Sequence, residues 1–427
     1  MTAADELDVG FVPAECPGAD ATGATHTSTL LIERLSAHHD LTVYVSSQMG
    51  AADRTLPAED RVEYVLHDDL PRLPHPVSVK IDALREEQDA LERHDLVHSY
   101  STAFIPVLAD LDVPTIVTLN SYVPVCPKGD MLYGGTEPCS GPAPAKCAGC
   151  VARTALSRRQ GLEAELRAGY TALGRLPFVE RCLDRAADVT AYQALSPHLV
   201  DDYASLGFPG DRIRVVPHFC DEQFLALDDG GRWDGGTLSL LYVGALRDIK
   251  GVDLLVRALP ALADRGLDVD LRVAGTGPYG NRCRALAADL GVEDRVTWLG
   301  HVDHDALPAE YARADAVVYP GRLDEPFGRV LLEALGTRTP VVAADVGSTD
   351  WIVGEGGVRF TPDDPAALAD ACVELTERYG AVYDAIPDQV ERFRPGRVIA
   401  EFLDLYASVA TGPGGERAVV TPAGPDA

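Results

Sequence analysis

The sequence predicts an α/β protein with two domains, each built on a parallel, doubly wound β-sheet. Short apolar runs alternate with amphipathic helical segments along most of the chain, which is the pattern of strands and helices in such sheets. A chain of 427 residues normally contains more than one domain. The apolar run 238–243 leads into a glycine turn and the start of a helix, an arrangement that favours phosphate binding.

Composition limits the class of partner. The chain is 46% hydrophobic and 24% charged, which indicates a globular protein, and its net charge of −29 argues against a nucleic-acid partner. Only four residues are lysine: Lys80, Lys128, Lys146 and Lys250. An acidic, lysine-poor surface predicts a halophilic protein, because high salt screens the self-repulsion of the charges. An ordinary acidic protein from a GC-rich genome is the alternative.

The predicted location is cytoplasmic. No apolar run approaches the roughly 18 residues that a membrane helix needs, and the sequence shows no signal peptide. Nine cysteines in such a chain predict thiols or metal ligands rather than disulfides.

The first domain is predicted over residues 1–216. Its strands are predicted at 7–13, 41–46, 95–100, 114–119, 187–195 and 211–217, and its clearest helices at 26–37 and 77–93. Most of the stretch 48–94 has no clear pattern. Ser196 and Pro197 form the capped start of a further helix.

The second domain is predicted over residues 217–391. Its strands are predicted at 238–243, 267–275, 295–299, 316–319 and 340–344. A terminal helix is predicted at 392–410, and the Gly/Pro-rich residues 411–427 are predicted to be a disordered tail.

The strongest candidate site lies in the second domain. Gly244 opens the turn after strand 238–243, and Arg247 and Lys250 add positive charge where the next helix begins. Glu325 and Glu333 are eight positions apart in DEPFGRVLLEALG. The first is a loop carboxylate beside a helix N-terminus, and the second lies on that helix. This arrangement suits an acceptor of sugar hydroxyls near a bound diphosphate.

Three motifs carry a resemblance to a known family. GALRDIKGVDLL, VAGTGP and EPFGRVLLEAL resemble the donor half of a retaining glycosyltransferase of family 4. The resemblance is strongest over 188–360 and traceable over 7–125. It implies the GT-B fold, in which two Rossmann-like domains face each other across a cleft. It also implies retaining transfer of a sugar from a nucleotide-sugar donor to a glycan, lipid-linked or other glycoconjugate acceptor, with no catalytic metal.

The resemblance also implies residue roles. Arg247 and Lys250 would bind the donor diphosphate, Glu325 the sugar hydroxyls and Glu333 the ribose hydroxyls. The other donor-binding positions that it implies are Gly23, Gly244, Gly275, Gly277, Phe327, Gly328, Arg329, Val330 and Leu331. The terminal helix at 392–410 would complete the first domain.

The chain departs from the family pattern at several positions. Asn120 stands where histidine is common, and it can hydrogen-bond a hydroxyl but cannot act as a general base. Trp351 replaces a usual glutamate, and Gly23 with Ala24 replaces a pair of glycines. His98 is either a substitute for the missing histidine or a satisfied strand-end residue. A GT-B sugar-nucleotide epimerase and a nucleotide-sugar-binding protein with impaired catalysis are therefore alternatives. The donor base stays open.

Four cysteines lie in a Gly/Pro-rich insertion at 121–151. Cys126, Cys139, Cys147 and Cys150 have the spacing C-x12-C-x7-C-x2-C. Because this segment has little apolar material to hold it together, the spacing predicts a structural metal site with four thiolates. Zinc is the default and an iron–sulfur cluster the alternative. Unrelated thiols are the remaining interpretation.

The segment 153–185 is basic, in contrast to the acidic remainder of the chain. Its seven arginines are Arg153, Arg158, Arg159, Arg167, Arg175, Arg181 and Arg185. Apolar residues recur among them at helical spacing. The segment is either a pair of packed helices with solvated arginines or a peripheral contact with the inner face of the cell membrane.

Overall fold

The computed structural model describes residues 6–18, 23–48, 56–71, 75–135, 137–156, 169–225 and 233–411. The chain divides into two compact units. The first comprises Met1–Pro217 with Ile399–Ala427, and the second comprises His218–Val398.

The first unit contains a seven-stranded sheet in the order β3-β2-β1-β4-β5-β8-β9. Every adjacent pair of its strands is parallel. The strands are β1 (Asp8–Val12), β2 (Asp40–Ser46), β3 (Val62–His67), β4 (Leu96–Ser99), β5 (Thr115–Leu119), β8 (Ala191–Ala194) and β9 (Ile213–Val215). Strands β6 (Leu132–Tyr133) and β7 (Glu137–Pro138) form a separate antiparallel pair.

Helices accompany this sheet. They are α1 (Gly23–Leu35), α2 (Pro76–Arg85), α3 (Gln88–Leu91), α4 (Ile105–Leu108), α5 (Pro144–Leu156), α6 (Leu176–Arg185) and α7 (Pro197–Ser205). Strands β4, β5 and β8 are buried along their whole length, as expected for a parallel sheet covered on both faces.

Two features of the first unit differ from the sequence-based expectation. Strand β3 lies at the sheet edge and none of its residues is fully buried, so it lacks the continuous apolar run by which its neighbours are recognised. The helix predicted at 77–93 is interrupted at Glu86 and Glu87 and forms α2 and α3.

The second unit contains a six-stranded parallel sheet in the order β12-β11-β10-β13-β14-β15. The strands are β10 (Leu238–Val243), β11 (Val269–Ala274), β12 (Val296–Gly300), β13 (Ala316–Tyr319), β14 (Val341–Ala344) and β15 (Gly357–Phe360). The helices are α8 (Glu222–Leu225), α9 (Val252–Asp264), α10 (Gly280–Asp289), α11 (Leu307–Ala312), α12 (Arg329–Gly336), α13 (Thr349–Val353), α14 (Pro365–Glu391) and α15 (Pro395–Ala410).

The terminal helix α15 begins at Pro395, and its residues from Ile399 onward belong to the first unit. The predicted tail beyond residue 411 lies outside the described residues. Among the helices that the structure describes, none combines the length and hydropathy needed to span a membrane.

The strand order of the second unit determines where its site lies. Chain direction across the sheet reverses between β10 and β13, which are neighbours in space but are separated by β11 and β12 in sequence. In open α/β sheets, ligands bind beyond the carboxyl ends of the strands at such a switch point. The loops that follow β10 and β13 contain Lys250 and Glu325 respectively.

His98 illustrates how the first unit is held together. It lies on β4 with 0% exposure. Its Nδ1 is 2.7 Å from the Tyr406 hydroxyl on α15, and its Nε2 is 2.8 Å from Thr118 Oγ1 on β5. Burial lowers the pKa of this histidine to about 3. Both ring nitrogens are used within the unit, which supports the satisfied strand-end interpretation.

We predict that His98 makes the protein less stable as the pH falls below about 6.5. The folded state holds the ring neutral down to a pKa of about 3, whereas the unfolded chain takes up a proton near pH 6.5. Stability should therefore decrease by up to about 1.4 kcal/mol per pH unit through this window. His98→Gln should show a shallower pH dependence in urea unfolding. The control is His301→Gln, whose side chain is 64% exposed. Equal slopes for His98→Gln and wild type would contradict the prediction.

Candidate functional site

The loop after β10 is shaped by glycine. It leads through a 3-10 turn at Asp248–Lys250 to Gly251, where α9 begins. Gly251 has φ +71°, and a Cβ atom there would be 1.9 Å from the carbonyl oxygen of Pro320. No other residue fits so close to the loop after β13. Gly251 therefore allows these two loops to touch immediately beside Lys250.

Arg322, in the loop after β13, forms hydrogen bonds to the loop after β10 and to the start of α9. Its backbone N–H donates to the Ile249 carbonyl oxygen at 2.9 Å. Its guanidinium donates to both carboxylate oxygens of Asp253, at 2.8 and 3.1 Å, and to Asp363 at 2.7 Å. The two-pronged bond to Asp253 at the start of α9 fixes orientation as well as distance.

Lys250 and Glu325 form an ion pair at the centre of the site. The Lys250 ammonium donates to Glu325 Oε1, and the Tyr319 hydroxyl donates to Glu325 Oε2 at 2.7 Å. The two charged side chains are 27% and 22% exposed. Burial, followed by the neighbouring Glu325 carboxylate, raises the pKa of Tyr319 well above its usual value, so Tyr319 remains a hydrogen-bond donor. Glu325 is thus held from both sides while one edge of the pair stays accessible.

Arg247 lies in the same loop as Lys250. Its side chain is exposed and makes no hydrogen bond or ion pair with any residue in the described ranges. An arginine in this position can contact an anion without first breaking an internal bond.

Glu333 is a buried carboxylate on α12, with 8% exposure. The Tyr311 hydroxyl donates to its Oε2 at 2.8 Å, and Arg329 Nη2 donates to its Oε1 at 3.4 Å. His304 Nε2 is 3.8 Å from the same Oε1. Burial acts to raise the pKa of Glu333, but these three partners outweigh it and hold the pKa below its usual value. Glu333 is therefore an ionised acceptor rather than a solvated surface residue.

Two further glycines bring the loop after β11 against the loop after β10. Gly275 has φ +144°, and a Cβ there would be 1.9 Å from the Gly244 carbonyl oxygen. A Cβ at Gly277 would be 2.5 Å from the carbonyl oxygen of Leu246. Gly275 thus lies in backbone contact with Gly244, and Gly277 in backbone contact with Leu246.

The turn at Phe327 and Gly328 packs against an aromatic cluster. Phe327 is 8% exposed, and its ring lies 4.8 Å from His218 and 6.0 Å from Phe393. The Trp351 ring makes an edge-to-face contact with Phe393, with 5.3 Å between ring centroids. The Arg392 guanidinium lies over the Trp351 ring, 4.8 Å from its centroid. Gly328 then precedes α12, where Arg329, Val330 and Leu331 form the first turn. Trp351, at the position where the family usually has glutamate, thus packs in the aromatic cluster with Phe327.

Two of the predicted site positions, Asn120 and Gly23, lie in the first unit. Asn120 follows β5, and its Nδ2 donates to the Tyr100 carbonyl oxygen at 2.7 Å. Gly23 is the first residue of α1, three residues before the predicted start of that helix. Nothing in the sequence singled out Tyr319, Tyr311 or Arg322 as partners of the predicted site. The one available signal was that Tyr319 ends a predicted strand and lies six residues before Glu325.

The four cysteines of the insertion surround one pocket. Cys126 follows β5, Cys139 follows β7, and Cys147 and Cys150 are on α5. None of them is in a disulfide.

The basic segment is only partly described, because residues 157–168 lie outside the described ranges. Arg153 pairs with Glu137 at 3.6 Å, and Arg185 pairs with Asp110 and Asp188 at 2.5 and 2.6 Å. Arg175 donates to the Pro127 carbonyl oxygen at 3.4 Å. These three arginines make internal contacts, while the membrane contact stays a hypothesis.

Comparisons with known proteins agree with this geometry. The family model described as Glycosyltransferase Family 4 matches residues 21–224, and the model described as Glycosyl transferases group 1 matches residues 237–378.

Similar proteins include a bacterial and an archaeal glycosyltransferase. The chain is 27% identical over 391 residues to the D-inositol 3-phosphate glycosyltransferase of Pseudarthrobacter chlorophenolicus, covering 89% of this chain and 80% of that protein. It is 33% identical over 173 residues to the uncharacterized glycosyltransferase MJ1607 of Methanocaldococcus jannaschii. That match covers 39% of this chain and less than half of the relative, 44%.

A solved structure shows the same fold. Anabaena Alr3699/HepE, whose structure contains UDP and glucose, matches with a TM-score of 0.62 and 17% identity, over 94% of this chain and all of that one. Two parallel-sheet α/β domains with such neighbours show the GT-B fold. The chain is thus similar to family 4 glycosyltransferases over most of its length.

We predict that Gly251→Ala damages the site far more than a matched control. Gly266 also has a positive φ, +81°, but a Cβ there would meet nothing within 4 Å. Gly266→Ala should cost about 1–2 kcal/mol of unfolding free energy, which is the cost of a left-handed backbone. Gly251→Ala adds the clash with Pro320 and should cost a further ~1–3 kcal/mol. Chemical unfolding measures both, and equal losses would contradict the predicted contact.

Proposed function

We propose that this protein transfers a sugar with retention from a nucleotide-sugar donor, bound by the second unit, to a hydroxyl of a glycan, lipid-linked or other glycoconjugate acceptor. The observation that carries the proposal is the Lys250–Glu325 pair at the switch point between β10 and β13. It places a cation suited to phosphate beside a carboxylate suited to sugar hydroxyls.

In this proposal, donor binding breaks the ion pair between Lys250 and Glu325, and each side chain binds a different part of the donor. The diphosphate takes the Lys250 ammonium and the exposed Arg247 guanidinium, while the sugar hydroxyls donate to Glu325. Tyr319 keeps its bond to Glu325 Oε2 and so holds the carboxylate in place. When the bond from the sugar to the phosphate breaks, negative charge grows on the leaving diphosphate. Cations already in position there stabilise that charge without reorganisation.

The nucleoside would lie nearer α12. Glu333 is ionised and fixed by Tyr311 and Arg329, so it is a preorganised acceptor for ribose hydroxyls. The N-terminus of α12, from Gly328 through Val330, offers backbone N–H groups to the same ligand, whereas the Leu331 N–H donates to the Gly328 carbonyl oxygen. Gly275 and Gly277 would act on donor binding by letting the loop after β11 pack against the loop after β10.

The acceptor would be oriented in part by Asn120. Its Nδ2 is engaged with Tyr100, so Oδ1 is the atom suited to accept a hydrogen bond from the attacking hydroxyl. Asparagine takes up no proton at neutral pH. In this proposal, therefore, the leaving phosphate receives the acceptor proton.

The two alternatives make different predictions for turnover. An epimerase would convert the nucleotide sugar without an acceptor, and a catalytically impaired protein would bind it without converting it. A glycosyltransferase releases nucleoside diphosphate faster when the correct acceptor is added. HepE binds UDP, which makes UDP-sugars the first donors to test.

We predict a thermal upshift with one nucleoside diphosphate and its sugars, measured in molar salt. Binding at a hundred times Kd adds about 2.7 kcal/mol to stability. The matching nucleoside without phosphates should give a much smaller shift, because Lys250 and Arg247 would contact the diphosphate. If no uridine, guanosine or adenosine diphosphate shifts the transition, the donor site is assigned wrongly.

We predict that Lys250→Ala and Glu325→Ala each lower transfer at least ~100-fold, the scale of losing one preorganised charge contact. Initial rates of nucleoside diphosphate release with acceptor measure this. The control is Arg265→Ala, which breaks a remote ion pair with Asp370 in the same unit and should leave the rate unchanged. Either site variant at the wild-type rate would overturn the roles proposed for the pair.

A further inference from the structure

The insertion after β5 gathers sulfur and positive charge in one place. The pocket between its loops and α5 is lined by Cys126, Cys139, Cys147, Cys150, Lys128 and Lys146, among others. Three of the cysteines are 6–7% exposed and the fourth, Cys139, is half-buried. Two of the four lysines in the whole chain are in this segment. Neither the donor site nor the sheet uses these groups.

Backbone N–H groups face two of the four sulfurs, although the same two thiols also donate to nearby oxygens. The Gly134 N–H donates to Cys150 Sγ at 3.2 Å. At Cys126, the N–H groups of Lys128, Asp130 and Met131 face the sulfur. The turn that presents them closes with the Gly129 N–H on the Cys126 carbonyl oxygen at 2.9 Å. Backbone N–H groups that donate to a ligand sulfur stabilise metal-bound thiolates.

Arg175 supplies an independent observation. Its Nε is buried and has no hydrogen-bond partner, and its guanidinium lies beside Cys126. No carboxylate in the described part of the chain pairs with it, although the chain carries a net charge of −29. A half-buried cation without a counter-ion is costly. Thiolates beside it would provide that counter-charge.

Lys146 is in a similar position. Its ammonium donates to Ser140 Oγ at 3.0 Å and to the Gly141 carbonyl oxygen at 2.9 Å, both neutral acceptors. Lys128 pairs with Asp130 at 3.1 Å. The surroundings of the pocket therefore carry an excess of positive charge. A metal ion of charge +2 held by four thiolates carries a net charge of −2, which these cations would balance.

We propose that Cys126, Cys139, Cys147 and Cys150 bind one zinc ion that holds the insertion together. Cys147 and Cys150 are three residues apart on α5 and so lie on one helix face, while the other two come from the adjoining loops. The four thiolates complete a closed tetrahedral set with no open position, as in structural zinc sites.

Metal binding requires the thiols to move closer together. No three sulfur atoms of this set lie within 4.8 Å of one another in the structure, whereas zinc–sulfur bonds of about 2.3 Å place tetrahedral ligands roughly 4 Å apart. A change of χ1 between staggered rotamers moves a sulfur by about 3 Å. The free energy of metal binding would also offset the entropy cost of ordering this Gly/Pro-rich segment, whose described residues form no strands other than the two-residue β6 and β7.

The test uses the full chain, expressed in zinc-supplemented medium and purified without chelator. Elemental analysis should give about one zinc per chain, and Cys147→Ser with Cys150→Ser should reduce it to near zero. The matched control is Cys16→Ala in the same unit, which should keep its zinc.

A second measurement uses only the wild-type protein, so it does not require that a cysteine variant folds. Wild-type protein stripped by a chelator should melt earlier and recover on addition of zinc alone. Cobalt(II) added instead should give the absorption spectrum of tetrahedral thiolate coordination. Folded wild-type protein that contains no zinc and does not respond to zinc or cobalt would overturn the proposal. Iron with inorganic sulfide, in place of zinc, would overturn it as well.

Discussion

The close approach of three loop backbones is the constraint on which the second unit depends. The loops after β10, β11 and β13 touch at Gly251 and Gly275, where even a Cβ atom would overlap a carbonyl oxygen. Lys250 and Glu325 are 75 residues apart in sequence, and this contact allows them to meet. The glycines thus act through geometry, and the charged groups act through the positions that the glycines permit.

The charges at this site were predictable from sequence, but their partners were not. Lys250, Glu325 and Glu333 lie at fixed distances from glycine turns and helix starts, which are local signals. Tyr311 and Tyr319 reach these carboxylates through tertiary packing, and an aromatic residue in a buried strand or helix gives no sign of that role. The same limit applies to Arg322, whose two-pronged bond to Asp253 spans 69 residues.

The fold shows the same division. Central strands such as β5 and β10 are nearly continuous apolar runs and were predicted within a few residues. Strand β3 was not predicted, because an edge strand needs no buried residues. Helix α14 was also missed. It spans 27 residues with Pro387 inside, and its stability comes from packing on the sheet rather than from capping and pattern alone.

The positions of the four lysines connect the composition of the chain with its sites. Lys80, Lys128 and Lys250 are only 10–27% exposed and each has a carboxylate partner, while Lys146 bonds neutral oxygens. Exposed cations such as Arg247 are arginines. Lysine is therefore retained where a compact point charge is enclosed by neighbours. At Lys250, arginine would bring a larger planar group with a different hydrogen-bond geometry into the contact between two loops. Substitution by arginine would preserve the charge but change the geometry of the contact with Glu325, so the lysine at this position suits the packing of the loops as well as the charge of the proposed ligand.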